Sequence, residues 1–220
     1  MPGEISLSHR GILFLDEFPE FPRHVLESLR QPMEDGVVTI SRAKGSVTYP
    51  AKFLLIAASN PCPCGYFGDS KRPCTCLPGM IARYQKRVSG PILDRIDIHV
   101  DVPSVDTQKL ILKNEKLKVE SSKEIQRRVQ NAREMQLKRF KTISIKSNSE
   151  MATRDVKKYC ELSDGCLAIM TSAVATMDLT ARSYFKVVKI ARTIADLAEE
   201  KEIGSVHIAE ALQYRPKIED

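Results

Sequence analysis

The chain of 220 residues contains no tryptophan, and aromatic residues make up only 6 % of it. A groove lined with aromatic rings for sugars or stacked bases is therefore not expected. The longest uncharged apolar run covers residues 53–58, which is far too short to span a bilayer. The first residues show neither the basic nor the apolar stretch that is typical of a signal peptide. We therefore expect a cytoplasmic protein with no membrane partner.

A phosphate-binding loop is also missing. None of the 10 glycines belongs to a G-x-x-x-x-G-K-[ST] pattern. This pattern supplies the backbone amides and the lysine that bind the β- and γ-phosphates of a nucleotide. We therefore expect that this polypeptide by itself neither binds nor hydrolyses ATP.

Positive charge is present but unevenly distributed. The chain has a net charge of +6, and residues 109–146 hold 12 Lys or Arg against 4 Glu. This segment therefore carries +8, and the rest of the chain carries −2. A concentrated basic segment indicates an anionic partner such as nucleic acid or a nucleotide. The alternative is a helix face that is simply exposed to solvent.

The first half of the chain has the pattern of an α/β protein. Residues 12–15 and 53–58 are continuous apolar runs, which are typical of strands buried on both faces of a parallel sheet. Residues 37–52 alternate as a β-hairpin does, and residues 42–45 form its tip. A helix is predicted from Pro22 onward and another over residues 80–88. A further short strand is predicted over residues 96–102.

The second half is helical. Ser121 and Glu124 resemble a capping box that starts a helix, whose apolar face would carry Ile125, Val129, Ala132, Met135 and Phe140. Three further helices are predicted at residues 154–159 with their continuation, at 180–200 and at 205–214. We therefore predict an α/β domain at residues 1–105, a linker at 106–117 and an all-helical domain at 118–220.

Polar side chains follow both predicted parallel strands. Asp16 and Glu17 come directly after the first, and Asn60 follows the second. Open α/β sheets bind ligands at the carboxyl ends of their strands. In nucleotide hydrolases such an Asp holds Mg²⁺ through water, and the next acid orients the attacking water. The alternatives are that the two acids cap a turn and that Asn60 is a turn residue.

Two arginines are candidates for contacts with phosphate. Arg95 precedes a predicted strand at a domain edge, from which it could reach a neighbouring molecule's phosphate site. An ion pair with Asp94 or Asp97 is the alternative. Arg182 lies in the first turn of a predicted helix. Arg192, farther along that helix, is expected to pair with Asp196 four residues later.

Four of the six cysteines form a tight cluster, Cys62, Cys64, Cys74 and Cys76. In a reducing compartment such spacing indicates metal ligation before disulfides. Four thiolates suit a structural, tetrahedral Zn²⁺. Buried or free thiols are the alternative, and a disulfide is expected only in oxidised protein.

Five stretches together carry a resemblance to a known family. They are PGEISLSHRGILFLDEFPEFPR at residues 2–23, LRQPMEDG at 29–36, SNPCPCGY at 59–66, SGPILDRID at 89–97 and ARTIADL at 191–197. The chain resembles the magnesium-chelatase-like AAA+ ATPases, in the bacterial YifB/ComM competence branch. The resemblance covers essentially the whole chain. The chain departs from the family in one respect, since it lacks the family's phosphate loop.

The resemblance implies the latter half of an AAA+ P-loop core, followed by an α-helical lid. It implies that Asp16 and Glu17 are the Walker B pair and that Asn60 is sensor 1. Arg95 would be an arginine finger acting in trans, and Arg182 would be sensor 2. The complete protein would use ATP and Mg²⁺, and this chain would be its carboxyl-terminal part.

The resemblance also implies ATP-driven remodelling of DNA by a ring, expected to be a hexamer, as in branch migration. The phosphates of DNA would meet basic residues at the hairpin tip and on the predicted helix at 121–140. These residues are Arg42, Lys44, Arg127, Arg128, Arg133 and Lys138. Two other functions stay open, a non-catalytic module that binds nucleic acid and a chelatase-type subunit that inserts metal into a porphyrin.

Overall fold

The computed structural model describes residues 3–43, 45–69, 71–103 and 120–216. The chain divides into two compact units. The first comprises Met1–Ile96 and Asp101–Val105, and the second comprises Asp97–Val100 and Asp106–Asp220. The linker predicted at 106–117 lies outside the described residues.

The first unit mixes short helices with two pairs of strands. Its helices are α1 (Glu4–Leu7), α2 (Arg23–Ser28), α3 (Arg30–Asp35), α4 (Pro78–Gln85) and α5 (Gly90–Leu93), with a 3₁₀ turn at Phe18–Glu20. Its strands are β1 (Ile12–Leu15), β2 (Val37–Arg42), β3 (Gly45–Pro50) and β4 (Leu54–Ala57). The predicted helix at 80–88 begins earlier, because Pro78 suits the first turn of a helix.

Strands β1 and β4 pair in parallel, from Ile12 opposite Leu54 to Leu15 opposite Ala57. Strands β2 and β3 form the predicted antiparallel hairpin. Helix α3 ends at Gly36, whose φ of 66° turns the chain into β2. A Cβ at Gly36 would lie 2.9 Å from Cγ of Lys52, so a larger residue is opposed by both the backbone and the packing.

The prediction that β1 and β4 are buried on both faces is wrong. Their side chains alternate, so that Leu13 and Leu15 pack against the core while their neighbours face away from it. The outward face is apolar and exposed to solvent, and it consists of Ile12, Phe14, Leu54 and Ile56. The core on the other face comprises Phe18, Leu26, Leu29, Val88 and Ile92. Apolar content alone does not show how many faces of a strand are covered.

The strand predicted over residues 96–102 is also wrong. The structure gives no regular secondary structure to residues 97–103, which it describes in full. The N–H of His99 donates to the carbonyl of Tyr214 at 2.9 Å, and Lys186 pairs with Asp97 at 3.1 Å. These bonds hold residues 97–100 within the second unit rather than against β4.

The second unit is helical. It contains α6 (Ser122–Arg139), α7 (Thr153–Tyr159), α8 (Asp164–Thr176), α9 (Ala181–Leu197) and α10 (Ser205–Gln213), with a 3₁₀ turn at Asn148–Glu150. The capping box at Ser121 and Glu124 is confirmed. The predicted continuation of α7 is a separate helix, because Leu162 bridges to Ile203 and the Ser163 hydroxyl caps α8.

The apolar face predicted for α6 is buried only in part. Ala132 and Phe140 are buried, whereas Ile125 and Val129 are 42 % and 45 % exposed. Phe140 joins a core that is built mainly by the later helices. Its other buried members include Met151, Val156, Met170, Val187, Val188 and Ile208. The start of α6 therefore projects beyond this core.

A buried polar network centred on Asp196 ties α6, α9 and the Asn148 turn together. Asp196 is fully buried and accepts hydrogen bonds from Arg139 at 2.8 Å and from Asn148 at 2.8 Å. Arg192 donates to the same carboxylate at 3.1 Å, as predicted, and also to the carbonyls of Glu200 and Lys201. Two guanidinium groups therefore depend on one buried carboxylate.

Among the residues that the structure describes, no helix has both the length and the apolar character needed to cross a membrane.

We predict that Asp196→Asn lowers the free energy of unfolding by about 3–5 kcal/mol, because the change leaves the buried guanidinium group of Arg192 and the partly buried one of Arg139 without their carboxylate. Denaturant titration followed by far-UV circular dichroism measures this. Asp178→Asn, on an exposed turn, is the control and should change the free energy by less than about 0.5 kcal/mol. Equal effects of the two substitutions would contradict the assigned role of the network.

Candidate functional site

The carboxyl ends of β1 and β4 form one edge that carries three of the predicted site residues. Asp16 and Glu17 directly follow β1, and Asn60 lies three residues beyond β4. Two backbone hydrogen bonds hold these ends together, from Ala58 N–H to the Leu15 carbonyl and from Phe18 N–H to the Ala58 carbonyl, both at 2.9 Å. Parallel pairing therefore brings two separate sequence segments to the same edge.

The acidic pair has an unusual backbone. Glu17 has a φ of 50° and a ψ of 43°, in the left-handed region that non-glycine residues rarely occupy. Its N–H donates to Oδ1 of Asp16 at 2.9 Å. Both side chains are exposed at the edge. Backbone strain of this kind concentrates at sites where a side chain must be held in a set direction.

Asn60 is exposed, as the two acids are. The edge thus presents two carboxylates and one amide to solvent, which are oxygen donors of the kind that Mg²⁺ prefers. The donor types fit a hydrated magnesium ion bound through one or two carboxylates. The roles of Asp16, Glu17 and Asn60 stay predictions.

Arg95 lies just beyond α5, and its guanidinium group is engaged within the first unit. It donates to Oε1 of Glu34 at 2.8 Å and to the carbonyl of Pro91 at 2.6 Å. The side chain is only 13 % exposed. Asp94 and Asp97 were the acceptors expected from the sequence, whereas Glu34 lies 61 residues away and gives no local signal. A role in trans would require this ion pair to be exchanged.

Arg182 occupies the first turn of α9 in the second unit and is exposed. Its role as sensor 2 stays a prediction.

The basic residues proposed for DNA are placed on two elements. Arg42 ends strand β2, but its side chain lies outside the described part, and Lys44 lies outside the described residues. On α6, the side chains of Arg127, Arg133 and Lys138 are exposed. Arg128 on the same helix pairs with Glu120 at 2.7 Å, so part of its charge is already matched.

The four clustered cysteines come together in space. The Sγ of Cys62 lies 3.4 Å from that of Cys64 and 3.7 Å from that of Cys74, and the Sγ atoms of Cys64 and Cys74 are 3.5 Å apart. All four Sγ atoms, including that of Cys76, lie within 4.8 Å of one another. Tetrahedral zinc with bonds of about 2.3 Å places its sulfurs about 3.8 Å apart. The cluster could therefore hold a metal ion.

The thiols differ in their electrostatic surroundings. The backbone N–H of Tyr66, and after it that of Thr75, favours the Cys64 thiolate and lowers its pKa to about 5. At Cys74 the N–H of Cys76 also favours the thiolate, but burial and the neighbouring sulfurs outweigh it and raise the pKa to about 12. Burial also raises the pKa of Cys76. Close thiols thus oppose one another's ionisation, an effect that a bound cation would offset.

Comparison with known proteins covers both halves of the chain. Residues 1–110 match the family described as magnesium chelatase, subunit ChlI, and residues 119–215 match the carboxyl-terminal region of that subunit. The competence protein ComM of Haemophilus influenzae is 41 % identical over 217 residues, which is 99 % of this chain and 41 % of ComM. The uncharacterized protein YifB of Escherichia coli is 39 % identical over 97 % of this chain and 41 % of YifB.

Similarity to a chelatase subunit itself is more limited. The magnesium-chelatase subunit ChlI of Mesostigma viride is 37 % identical over 60 residues, or 27 % of this chain. The chain spans about two fifths of the length of ComM and YifB.

Proposed function

The chain belongs to the magnesium-chelatase ChlI family, in the branch that contains ComM and YifB, and on this premise we propose that it forms part of an AAA+ ATPase that remodels DNA. The observation that supports the proposal is the shared edge of β1 and β4, which Asp16 and Glu17 directly follow and beyond which Asn60 lies by three residues. Acidic and amide groups at the ends of adjacent parallel strands suit a magnesium–nucleotide site.

In this proposal Asp16 would hold Mg²⁺, and Glu17 would orient the attacking water and accept its proton. Asn60 contacts the same water or the γ-phosphate. Magnesium supplies charge neutralisation at the phosphates when it is bound. The left-handed backbone at Glu17 fixes the direction in which its carboxylate leaves the strand.

Arg95 and Arg182 complete the proposed phosphate contacts. Arg95 serves a neighbouring subunit's nucleotide as an arginine finger, and Arg182 contacts nucleotide as sensor 2. The ion pair between Arg95 and Glu34 holds the finger within its own subunit, so assembly of the ring, which we propose to be a hexamer, exchanges one anion for another at this guanidinium group.

None of the 10 glycines of the chain forms a phosphate loop, so the proposed ATPase needs one outside these 220 residues. The relatives are longer than this chain, and the apolar face formed by Ile12, Phe14, Leu54 and Ile56 is exposed. We propose that the segment with the phosphate loop packs on this face in the complete, cytoplasmic bacterial protein. Binding of ATP then depends on both parts.

Binding of DNA is supported by the name of one relative, the competence protein ComM, and by the net charge of +8 at residues 109–146. The missing phosphate loop and the same basic segment favour a second function, a module that binds nucleic acid without catalysis. DNA binding that does not respond to ATP, even in a chain that contains a phosphate loop, would distinguish that function from a motor.

We also propose that Cys62, Cys64, Cys74 and Cys76 hold one structural Zn²⁺. The close approach of their sulfur atoms supports this. The metal would close residues 62–76 into a fixed loop between β4 and α4. The metal would stabilise the folded loop and would take no part in ATP hydrolysis.

We predict no ATP hydrolysis by the 220-residue chain and measurable hydrolysis by a chain extended upstream to include a phosphate loop. In the extended chain, Glu17→Gln should leave ATP binding intact and lower turnover at least about 100-fold, because the proton acceptor is lost. Phosphate release and nucleotide titration measure the two effects. Glu4→Gln, a matched change in α1, should alter neither. Steady turnover by the 220-residue chain that Glu17→Gln abolishes would contradict the proposal.

For the metal, we predict about one equivalent of zinc in protein purified under reducing conditions. Chelation should remove it and lower the melting temperature. Cys64→Ser should weaken zinc binding, whereas Cys166→Ser, in the buried core of the second unit, should leave the zinc content unchanged. Metal-free protein from a reducing preparation would reject the site.

For DNA, we predict binding that is insensitive to base sequence and that weakens steeply with salt, because phosphate contacts release counterions. In the complete ring, Arg42→Ala combined with Lys44→Ala should slow ATP-driven remodelling of DNA. The effect should be larger than that of Arg127→Ala combined with Arg133→Ala. Strand-exchange assays on branched DNA measure this. If only the substitutions at Arg127 and Arg133 reduce this activity, the hairpin is not the element that binds DNA.

A further inference from the structure

An open groove lies in the first unit, beside the segment that follows the acidic pair. One wall is formed by residues 19–23, and the other is formed by α4 and the residues just after it, over 79–87. Its volume is about 730 Å³. This volume exceeds what a single small anion needs and lies within the usual range for binding sites, roughly 300–1,000 Å³.

The groove is rich in positive charge. Lys86 and Arg87 follow Arg83 by three and four residues, so both lie on the same side of the chain as Arg83. Arg23 lies on the opposite wall. Glu20 is the acidic residue of the lining, and it pairs with Arg87. Four cations therefore face one anion, and that anion is already neutralised.

Three of these cations are available to a ligand. Arg23, Arg83 and Lys86 are exposed, and within the described part of the chain no ion pair or hydrogen bond engages their side chains. Arg23 also interacts electrostatically with Glu27 on its own helix. Like charges that face a common groove nevertheless repel one another. A polyanion in the groove would relieve this repulsion and gain from all three cations at once.

The wall at residues 19–22 disfavours an extended acidic peptide as the ligand. Pro19 and Pro22 have no N–H group, and the N–H groups of Glu20 and Phe21 already donate to the carbonyls of Glu17 and Phe18. This wall therefore has no free N–H with which to pair a peptide strand. A ligand held here must be recognised by its charges and by contact with apolar surface.

We propose that this groove binds the sugar–phosphate backbone of nucleic acid, with Arg23, Arg83 and Lys86 contacting phosphates. Nucleic acid presents closely and regularly spaced charges, and its sugars can lie against the apolar surface of Phe21 and Ala82. Phosphate contacts position the strand without reading its bases. The choice of DNA as the nucleic acid rests on the proposed function, whereas the groove and its charges do not.

The test is DNA binding by the 220-residue chain, without nucleotide. Fluorescence anisotropy of a labelled duplex is followed from 50 to 200 mM salt for the wild type and for Arg23→Gln combined with Arg83→Gln and Lys86→Gln. The matched control exchanges three exposed lysines of the second unit for glutamine, namely Lys157, Lys158 and Lys201. All six side chains are on the surface, so circular dichroism should show unchanged folding.

We expect the groove variant to bind at least about tenfold more weakly than the wild type. Its salt slope should fall by about 2–3, because each phosphate that the protein no longer neutralises lowers the slope by about 0.9. The control should stay within about twofold of the wild type. In the wild-type protein, bound DNA should protect the Lys86 amine from chemical acetylation. Bound DNA should not protect the Lys157 amine.

Three results would overturn the inference. They are a groove variant that binds like the wild type, a wild type without salt-dependent binding, and polyglutamate that displaces DNA at equal charge concentration. None of them bears on ATP hydrolysis, because the assay contains no nucleotide. Conversely, failure of the Glu17 prediction would leave the groove result unaffected.

Discussion

The candidate site depends on the parallel pairing of β1 with β4. The helices α2 and α3 and the β2–β3 hairpin lie between these strands in the sequence, yet the register from Ile12–Leu54 to Leu15–Ala57 brings their carboxyl ends level. Parallel strands require such a crossover connection, and the carboxyl ends of both strands then lie at the same edge of the sheet. Without this pairing, Asp16 and Asn60 would be 44 residues apart in an unstructured chain and could not serve one ligand.

The same pairing accounts for the exposed apolar face. A two-stranded parallel sheet with one covered face is unusual, because parallel sheets are normally covered on both sides. The core under Leu13 and Leu15 covers one side of this sheet, and Ile12 and Phe14 on the other side remain in solvent. This exposed apolar face is the surface on which we propose that the segment with the phosphate loop packs. The edge that we propose as the nucleotide site and this apolar face therefore belong to the same pair of strands.

Local signals in the sequence predicted β1, the hairpin, the capping box at Ser121 and the pairing of Arg192 with Asp196, because each depends on residues close together in the chain. The sequence also predicted that the four cysteines lie close together, because their short spacing limits the distance between them. It did not show the partner of Arg95, since Glu34 lies 61 residues away. It also missed the links from Arg139 and Asn148 to Asp196 and the failure of residues 97–100 to join the sheet, both of which depend on tertiary contacts. The groove had a partial signal in the spacing of Arg83, Lys86 and Arg87, but its other wall comes from a distant segment.

We propose above all that the edge after β1 and β4 binds the magnesium–nucleotide complex. The most direct measurement is an experimental structure of the chain extended to include a phosphate loop, with Mg²⁺ and a non-hydrolysable ATP analogue bound. We expect Asp16 in the hydration shell of the magnesium ion, with Glu17 and Asn60 facing the γ-phosphate. Nucleotide bound away from this edge, or Asp16 turned from the metal in every subunit, would contradict the account.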